Sequence, residues 1–189
     1  MIKEIVMKNR SYRRFKEIEK IDSSVLTELI ELVRFTPSSV NFQPLRFKMV
    51  NEPEDNHKVF ETLSWAGLLK EWKGPAEGER PSAYIIILTD LSVANNMKID
   101  VGITAQTIML GAAEKGIGGC MLGSIKRELL AENMKIDLDK YSIDLVLALG
   151  IPAEEVRIVN LPENGATAYY RDEKDVHCVP KRKVEDLMI

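Results

Sequence analysis

Ala83-Tyr84-Ile85-Ile86-Ile87-Leu88-Thr89 is an unbroken apolar run that ends at Asp90. A run this short and this rich in β-branched side chains fits a strand covered on both faces better than a helix. Such a strand commits the chain to a sheet with apolar layers above and below it. Ile143-Asp144-Leu145-Val146-Leu147-Ala148-Leu149 reads as a second buried strand, closed by Gly150-Ile151-Pro152. Between them, Met97 to Lys115 has helical period through Ile99, Ile103, Leu110 and Glu114, with Gly102, Ala105, Gly111, Ala112 and Ala113 along it. That small-residue surface allows close approach of another backbone or of a flat ligand, and Gly116 is placed to end the helix in a left-handed cap. The expected class is α+β, with helices packed on a small mixed sheet.

Shorter signals fill in the rest. Asp22 or Ser23 can cap a helix carrying Val25, Leu26, Leu29, Ile30 and Val33, which should stop before Pro37. Arg46 to Val50 alternates as a strand does, Asp55 to Trp65 suits a helix, and a helix is expected near Lys126 to Glu132. Ala66 to Pro81, with Gly67, Gly74, Pro75, Gly78 and Pro81, predicts a loop of a length that is usually functional or mobile. No repeat or long linker divides the 189 residues, so residues 1–189 are read as a single domain.

The net charge of −3 provides no global positive field for nucleic acid or an anionic membrane. No apolar stretch is long enough to span a bilayer and the N-terminus lacks a signal-peptide pattern, so a cytoplasmic protein is expected. Cys120 and Cys178 form no C-x-x-C pair and read as two free thiols in a reducing compartment. His57 and His177 have no metal-ligand spacing and no obvious nucleophile nearby, so both read as satisfied surface or core side chains and no metal is expected. A chain with so little acid–base machinery borrows its reactivity from a cofactor or is not an enzyme.

Four constellations could carry chemistry. Asn9-Arg10-Ser11-Tyr12-Arg13-Arg14-Phe15 places guanidinium forks beside a hydroxyl, a donor set suited to phosphate. Pro37-Ser38-Ser39-Val40-Asn41-Phe42-Gln43-Pro44 is a polar turn between prolines that can offer donors and acceptors to a planar heterocycle. Asp100 to Gln106 lies on the long helix, and Gly116-Ile117-Gly118-Gly119 follows it. These glycines come after a helix rather than opening one, which argues against a dinucleotide fingerprint. Lys181-Arg182-Lys183 is a basic tail that can close over the same phosphate. Tyr169-Tyr170-Arg171 reads as a partly buried surface patch.

Taken in order, these segments, with Leu149-Gly150-Ile151-Pro152 after the second strand, resemble the FMN-dependent nitroreductase-like family along essentially the whole chain. The resemblance implies a central mixed, mainly antiparallel sheet flanked by helices, and a homodimer with FMN at the subunit interface. It implies that Arg10, Ser11 and Arg13 hold the phosphate, ribityl chain and pyrimidine edge, and that Lys181 or Arg182 reaches the phosphate. Pro37, Ser38, Ser39 and Asn41 would line the flavin from the partner subunit, and Met121, Leu122 and Gly123 would run past the ring. Arg13 is the candidate for stabilising the reduced, anionic flavin. Asn9 stands where many members have another arginine, and the 66–81 connection is short where larger relatives carry a lid. The implied reaction is ping-pong transfer of hydride from NADH or NADPH to a small organic acceptor such as a nitroaromatic or quinone. The alternatives are a specialised flavoprotein (reductive dehalogenase or flavin reductase) and a non-catalytic flavin-binding sensor.

Overall fold

In a computed structural model that describes every residue except Lys70, the apolar run forms β2 (Ala83–Asp90), buried along its whole length. It is central because both faces are apolar: Tyr84, Ile86 and Leu88 point into one core layer, Ile85 and Ile87 into the other. β1 (Leu45–Val50), β4 (Tyr141–Gly150) and β3 (Gly118–Leu122) complete a sheet in the order β1-β2-β4-β3. Every pairing in it is antiparallel, with one irregularity between Ile87 and Leu88. The parallel pairing that makes the fold mixed lies in a second sheet instead. There β7 (His177–Lys181) runs parallel to β5 (Val156–Asn160) and antiparallel to the short β6 (Tyr170–Arg171).

Helices cover both faces of the main sheet. Leu26 and Leu29 of α2 (Ser23–Glu31) pack with Val101, Ala105, Ile108 and Ala112 of α4 (Lys98–Glu114) over Ile85, Ile87, Leu147 and Leu149. On the other face Val59 of α3 (Pro53–Phe60) and Leu130, Ala131 and Met134 of α5 (Arg127–Met134) pack over Ile86, Leu88 and Val146. Each fully buried aliphatic side chain of these layers contributes about 1.5–3 kcal/mol of transfer free energy. The small-residue run on α4 has a visible use at Gly111, where a β-carbon would stand 2.4 Å from Leu32 Cδ1. Among the described residues no helix is long and apolar enough to cross a membrane.

Several local expectations shift. The helix expected over Asp55 to Trp65 begins at Pro53 and ends at Phe60, because Leu63 pairs with Ile125 and Ser64 N–H donates to the Ser124 carbonyl at 3.0 Å. Asp22 stands at the N-cap of α2 without a side-chain capping bond. Helix α1 (Ile2–Lys8) and all three strands of the second sheet were not expected from the sequence. The described residues of the 66–81 connection form only turns, bends and irregular backbone, and Lys70 within it lies outside the described residues. Its second half is pinned: Glu17 Oε2 accepts from Gly78 N–H (2.6 Å) and Arg80 N–H (3.3 Å), and Phe15 N–H donates to the Glu79 carbonyl at 2.9 Å.

Candidate functional site

The N-terminal arginine segment lies along the free edge of β3. Tyr12 N–H donates to the Gly119 carbonyl at 2.9 Å, Ser11 bridges Gly119, and Phe15 bridges Pro152. Glycine makes the approach possible. A β-carbon on Gly118 would meet Tyr12 Cδ2 and Pro152 Cγ at 2.6 Å, and one on Gly150 would meet the Phe15 side chain at 2.8–2.9 Å. With Phe15 fully buried as the anchor, the residues just before it are delivered to a cavity of about 350 Å³ between α4, β3 and the second sheet.

Arg10, Ser11, Arg13 and Lys181 line this cavity together, with Asn9, Gln106, Met121, Tyr169 and His177. Its wall holds three fixed cations and no carboxylate, while Met109, Met121, Val156 and Val179 supply an apolar side. This is the donor set of an anion site with a flat apolar wall beside it. Arg10 Nη2 donates to the Val6 carbonyl at 2.7 Å, tying the C-terminal end of α1 to the cavity, and its Nε has no hydrogen-bond partner among the described residues.

Arg13 is the best-held member. Its guanidinium lies 4.7 Å from the centre of the Tyr169 ring, and Nη1 donates to the Ser11 carbonyl at 3.2 Å and faces His177 Nε2 at 3.3 Å. Since guanidinium nitrogens only donate, Nε2 must accept, which leaves the proton of neutral His177 on Nδ1. Burial, aided by the Arg13 charge, holds the His177 pKa down to about 4, against the opposing pull of Glu154. His177 is 1% exposed and its Nδ1 has no hydrogen-bond partner among the described residues. The expectation of a satisfied histidine is therefore corrected: β7 carries His177 against Arg13 rather than into an apolar layer. Tyr169, half-buried beside exposed Tyr170 as a surface patch would be, also covers the Arg13 guanidinium. His57 is exposed and paired with Glu61 at 3.2 Å.

Glu154 fixes the backbone that aims Arg13. Oε1 accepts from the N–H groups of Arg13 and Arg14, the latter at 3.1 Å, and Oε2 accepts from Arg171 Nη2 at 2.5 Å. Its side chain is 2% exposed. Sequence reading missed Glu154, and the only available signal was its place just after the Leu149 to Pro152 strand end. Among the described residues no group of three or more His, Cys, Asp or Glu side chains is placed to hold a metal ion.

The proline-flanked turn lies apart, around a second hollow of about 260 Å³ lined by Pro37, Ser38, Asn41, Gln43, Asp100 and Thr104 among others. Buried Asp100, in the first turn of α4, accepts from the Ser38 hydroxyl at 2.5 Å and from Ser39 N–H at 3.1 and 3.2 Å. The Ser38 oxygen in turn accepts from Gln43 N–H at 3.0 Å. Val40, Asn41 and Gln43 all have positive φ (50°, 56° and 50°). Left-handed backbone at a β-branched residue costs about 1–3 kcal/mol and clusters at functional sites. Asp100 holds the strained turn with Val40 and Phe42 exposed on it.

The remaining sequence candidates divide. Met121 lines the cationic cavity, whereas Leu122, the next residue on β3, turns its side chain into the core with Val146 and Leu130. Gly123 follows the strand in an exposed segment, and Arg182 is exposed one residue beyond Lys181, outside the cavity wall.

The chain is thus an α+β protein whose N-terminal arginine segment and late lysine meet over the edge of an antiparallel sheet. The chain belongs to the nitroreductase family, whose model matches residues 6–151. YdgI of Bacillus subtilis, provisionally named an NAD(P)H nitroreductase, is 26% identical over 185 residues, covering 80% of this chain and 88% of its own. A provisionally named nitroreductase of Desulfovibrio desulfuricans, solved in complex with FMN, superposes with a TM-score of 0.70 at 18% identity, over 100% of this chain and 95% of its own. One from Exiguobacterium sibiricum, also solved with FMN, has a TM-score of 0.69 at 21% identity, over 87% and 94%. The family makes the protein an oxidoreductase, and the solved structures share its fold.

Proposed function

We propose that the chain is an FMN-dependent oxidoreductase that takes hydride from NADH or NADPH and reduces a small organic acceptor, such as a nitroaromatic or quinone, by a ping-pong mechanism. The observation that carries this reading is the cavity where Arg10, Ser11, Arg13 and Lys181 converge with no carboxylate among them. That donor set fits a phosphate monoester, and the methionine and valine wall beside it fits a planar ring. The FMN complexes of the two structural relatives support the same choice. Bound FMN would supply the hydride-accepting and hydride-donating chemistry.

The residues of this chain bind and orient. Arg10 and Lys181 answer the phosphate charge, and Ser11 adds a neutral donor. Arg13, held by Tyr169, His177 and the Glu154-fixed backbone, presents a permanent cation to whatever negative charge develops on the pyrimidine edge. Neutral His177 leaves that charge undiminished and adds no repulsion to it. Met121 and the backbone of Leu122 and Gly123 border the ring.

The working form is a homodimer, with residues 1–189 acting as one FMN-binding domain and each flavin at the subunit interface. Ile2, Val6, Met7, Phe35, Val40, Phe42 and Ile99 are exposed apolar side chains that a second copy would cover. Pro37, Ser38, Ser39 and Asn41, on a turn distant from the cationic cavity of their own chain, would then complete the partner's site. The reducing surroundings suited to two free thiols support a cytoplasmic location.

The test is the absorbance spectrum of the purified protein, reconstituted with FMN and titrated anaerobically with NADH and NADPH. Flavin bands near ~450 nm that bleach with one nicotinamide are expected. Protein that stays colourless after FMN addition refutes the reading.

A further inference from the structure

Asp100 is a buried acid, 3% exposed, that lines the turn's hollow and not the cationic cavity. It stands in the first turn of α4, where the positive end of the helix dipole favours a negative charge. Oδ2 accepts from the Ser38 hydroxyl, and Ser39 N–H is shared between Oδ1 and Oδ2. The Ser38 oxygen carries the connection on by accepting from Gln43 N–H. The Gln43 carbonyl accepts from Arg46 Nη1 at 3.0 Å, and Gln43 Nε2 donates to the Asn41 carbonyl at 3.3 Å. These bonds close the turn on itself and offset the cost of left-handed backbone at Val40, Asn41 and Gln43.

The same bonds divide the turn's polar groups into two sets. Ser38 has one hydroxyl proton and gives it to Asp100, so it has none for a ligand. The Ser39 hydroxyl and the Asn41 side-chain amide, by contrast, have no hydrogen-bond partner among the described residues, and both residues are exposed. Val40 and Phe42 alternate with them at 80% and 51% exposure, and Ile99, next to Asp100 on α4, is 78% exposed. Strained backbone persists where its surroundings over-determine it, and here a buried acid does so for a segment whose free groups all face outward.

We propose, on the reading that FMN binds between two copies of this chain, that Asp100 is a positioning residue for the partner's flavin. It sets the shape of the 38–43 turn, and the turn presents the Asn41 amide, with the Ser39 hydroxyl beside it, to the ring bound by the other copy. The arginines of the cationic cavity only donate, whereas an amide both donates and accepts and so suits the alternating N–H and carbonyl groups of a flavin's pyrimidine ring. Val40, Phe42 and Ile99 are covered by the same contact. Asp100 itself touches neither flavin nor acceptor and acts through Asn41.

The experiment is a double-mutant cycle on the FMN-loaded dimer, with sedimentation velocity, FMN titration, flavin midpoint potential and urea unfolding read on each variant. Asn41→Gly keeps the left-handed backbone without strain and removes the amide, so it should weaken FMN binding about tenfold at near wild-type stability. Asp100→Asn keeps an acceptor for Ser39 N–H but turns an NH₂ toward Ser38. It should weaken FMN binding to a similar degree and shift the midpoint potential of the FMN-saturated dimer, which a loss of stability alone would not do. With Asp100 replaced, Asn41→Gly should add less than about twofold, because the amide is no longer aimed. Ser38→Ala breaks the same connection from the turn side and gives the same readouts if Asp100→Asn fails to fold. The proposal is overturned if Asn41→Gly leaves FMN affinity unchanged, if a folded, dimeric Asp100 or Ser38 variant keeps wild-type affinity and potential, or if the two losses add. Wild-type protein that takes up no FMN, or binds it as a monomer, refutes the flavin-dimer reading as well, so the two failures are told apart on the wild type alone.

Discussion

Glu154→Ala removes the one buried carboxylate that holds the arginine segment in place. Three donors lose their acceptor: the N–H groups of Arg13 and Arg14, and Arg171 Nη2. Removing one partner of a buried, hydrogen-bonded ion pair costs about 3–5 kcal/mol, most of it from the groups left behind. Two features place this site at the lower end. Arg171 keeps the Asp175 carbonyl at 2.9 Å and its carboxylate at 3.4 Å, and the two amide bonds to Glu154 are only part-buried. A loss of about 3 kcal/mol is expected, which for a chain of this size lowers Tm by roughly 6–12 °C. Urea denaturation of the apoprotein measures the loss directly. FMN affinity, read by quenching of flavin fluorescence, should fall by at least about tenfold, since Arg13 is no longer aimed by its backbone. Glu154→Gln keeps an acceptor for the amides but turns an NH₂ toward Arg171, so it should fall between wild type and alanine. An alanine variant within about 1 kcal/mol of wild type that also binds FMN normally would refute the clamp, because each unpaired buried donor alone is worth that much.

Three further outcomes follow from the same region. Arg13→Met should weaken FMN binding at least about tenfold and, in protein saturated with FMN, lower the flavin midpoint potential; unchanged affinity and potential would remove Arg13 from the site. Stability should fall as pH drops from 6.5 toward 4, because the unfolded chain protonates His177 there while the folded chain, with His177 facing Arg13 and flanked by Glu154 and Arg171, does not. The contribution is present above pH 6.5, amounts to about 3 kcal/mol and is lost as the pH falls; urea midpoints for wild type and His177→Phe should diverge in slope over that window, and parallel curves would rule it out. Gly119→Ala would place a β-carbon 2.6 Å from the Ala148 carbonyl oxygen and 2.8 Å from Met109 Cε. Moving a strand backbone to relieve this should cost about 1–3 kcal/mol and loosen the Tyr12–Gly119 bond, and urea unfolding at wild-type stability would show that the edge tolerates the change.

Alternation and period in the sequence determined the scaffold. The apolar runs at 83–89 and 143–149 favoured strands covered on both faces, and the 97–115 period favoured a helix, which covers one of those faces. The ordered motifs likewise marked Arg10, Ser11, Arg13 and Lys181, and these do share one cavity. What tertiary structure decided is how they are held. Glu154, Tyr169 and His177 lie more than a hundred residues from Arg13 along the chain, and no periodicity links a loop carboxylate to two amides it meets only after folding. The second sheet was equally illegible, since β5 and β7 are strands of five residues, the one largely exposed and the other mostly buried, whose pairing partners, not their own composition, make them strands. Local spacing encodes which face of an element is apolar. The meeting of Arg13, His177 and Glu154 is a property of the packed chain, because each is polar and His177 and Glu154 reach Arg13 only from segments far along the sequence.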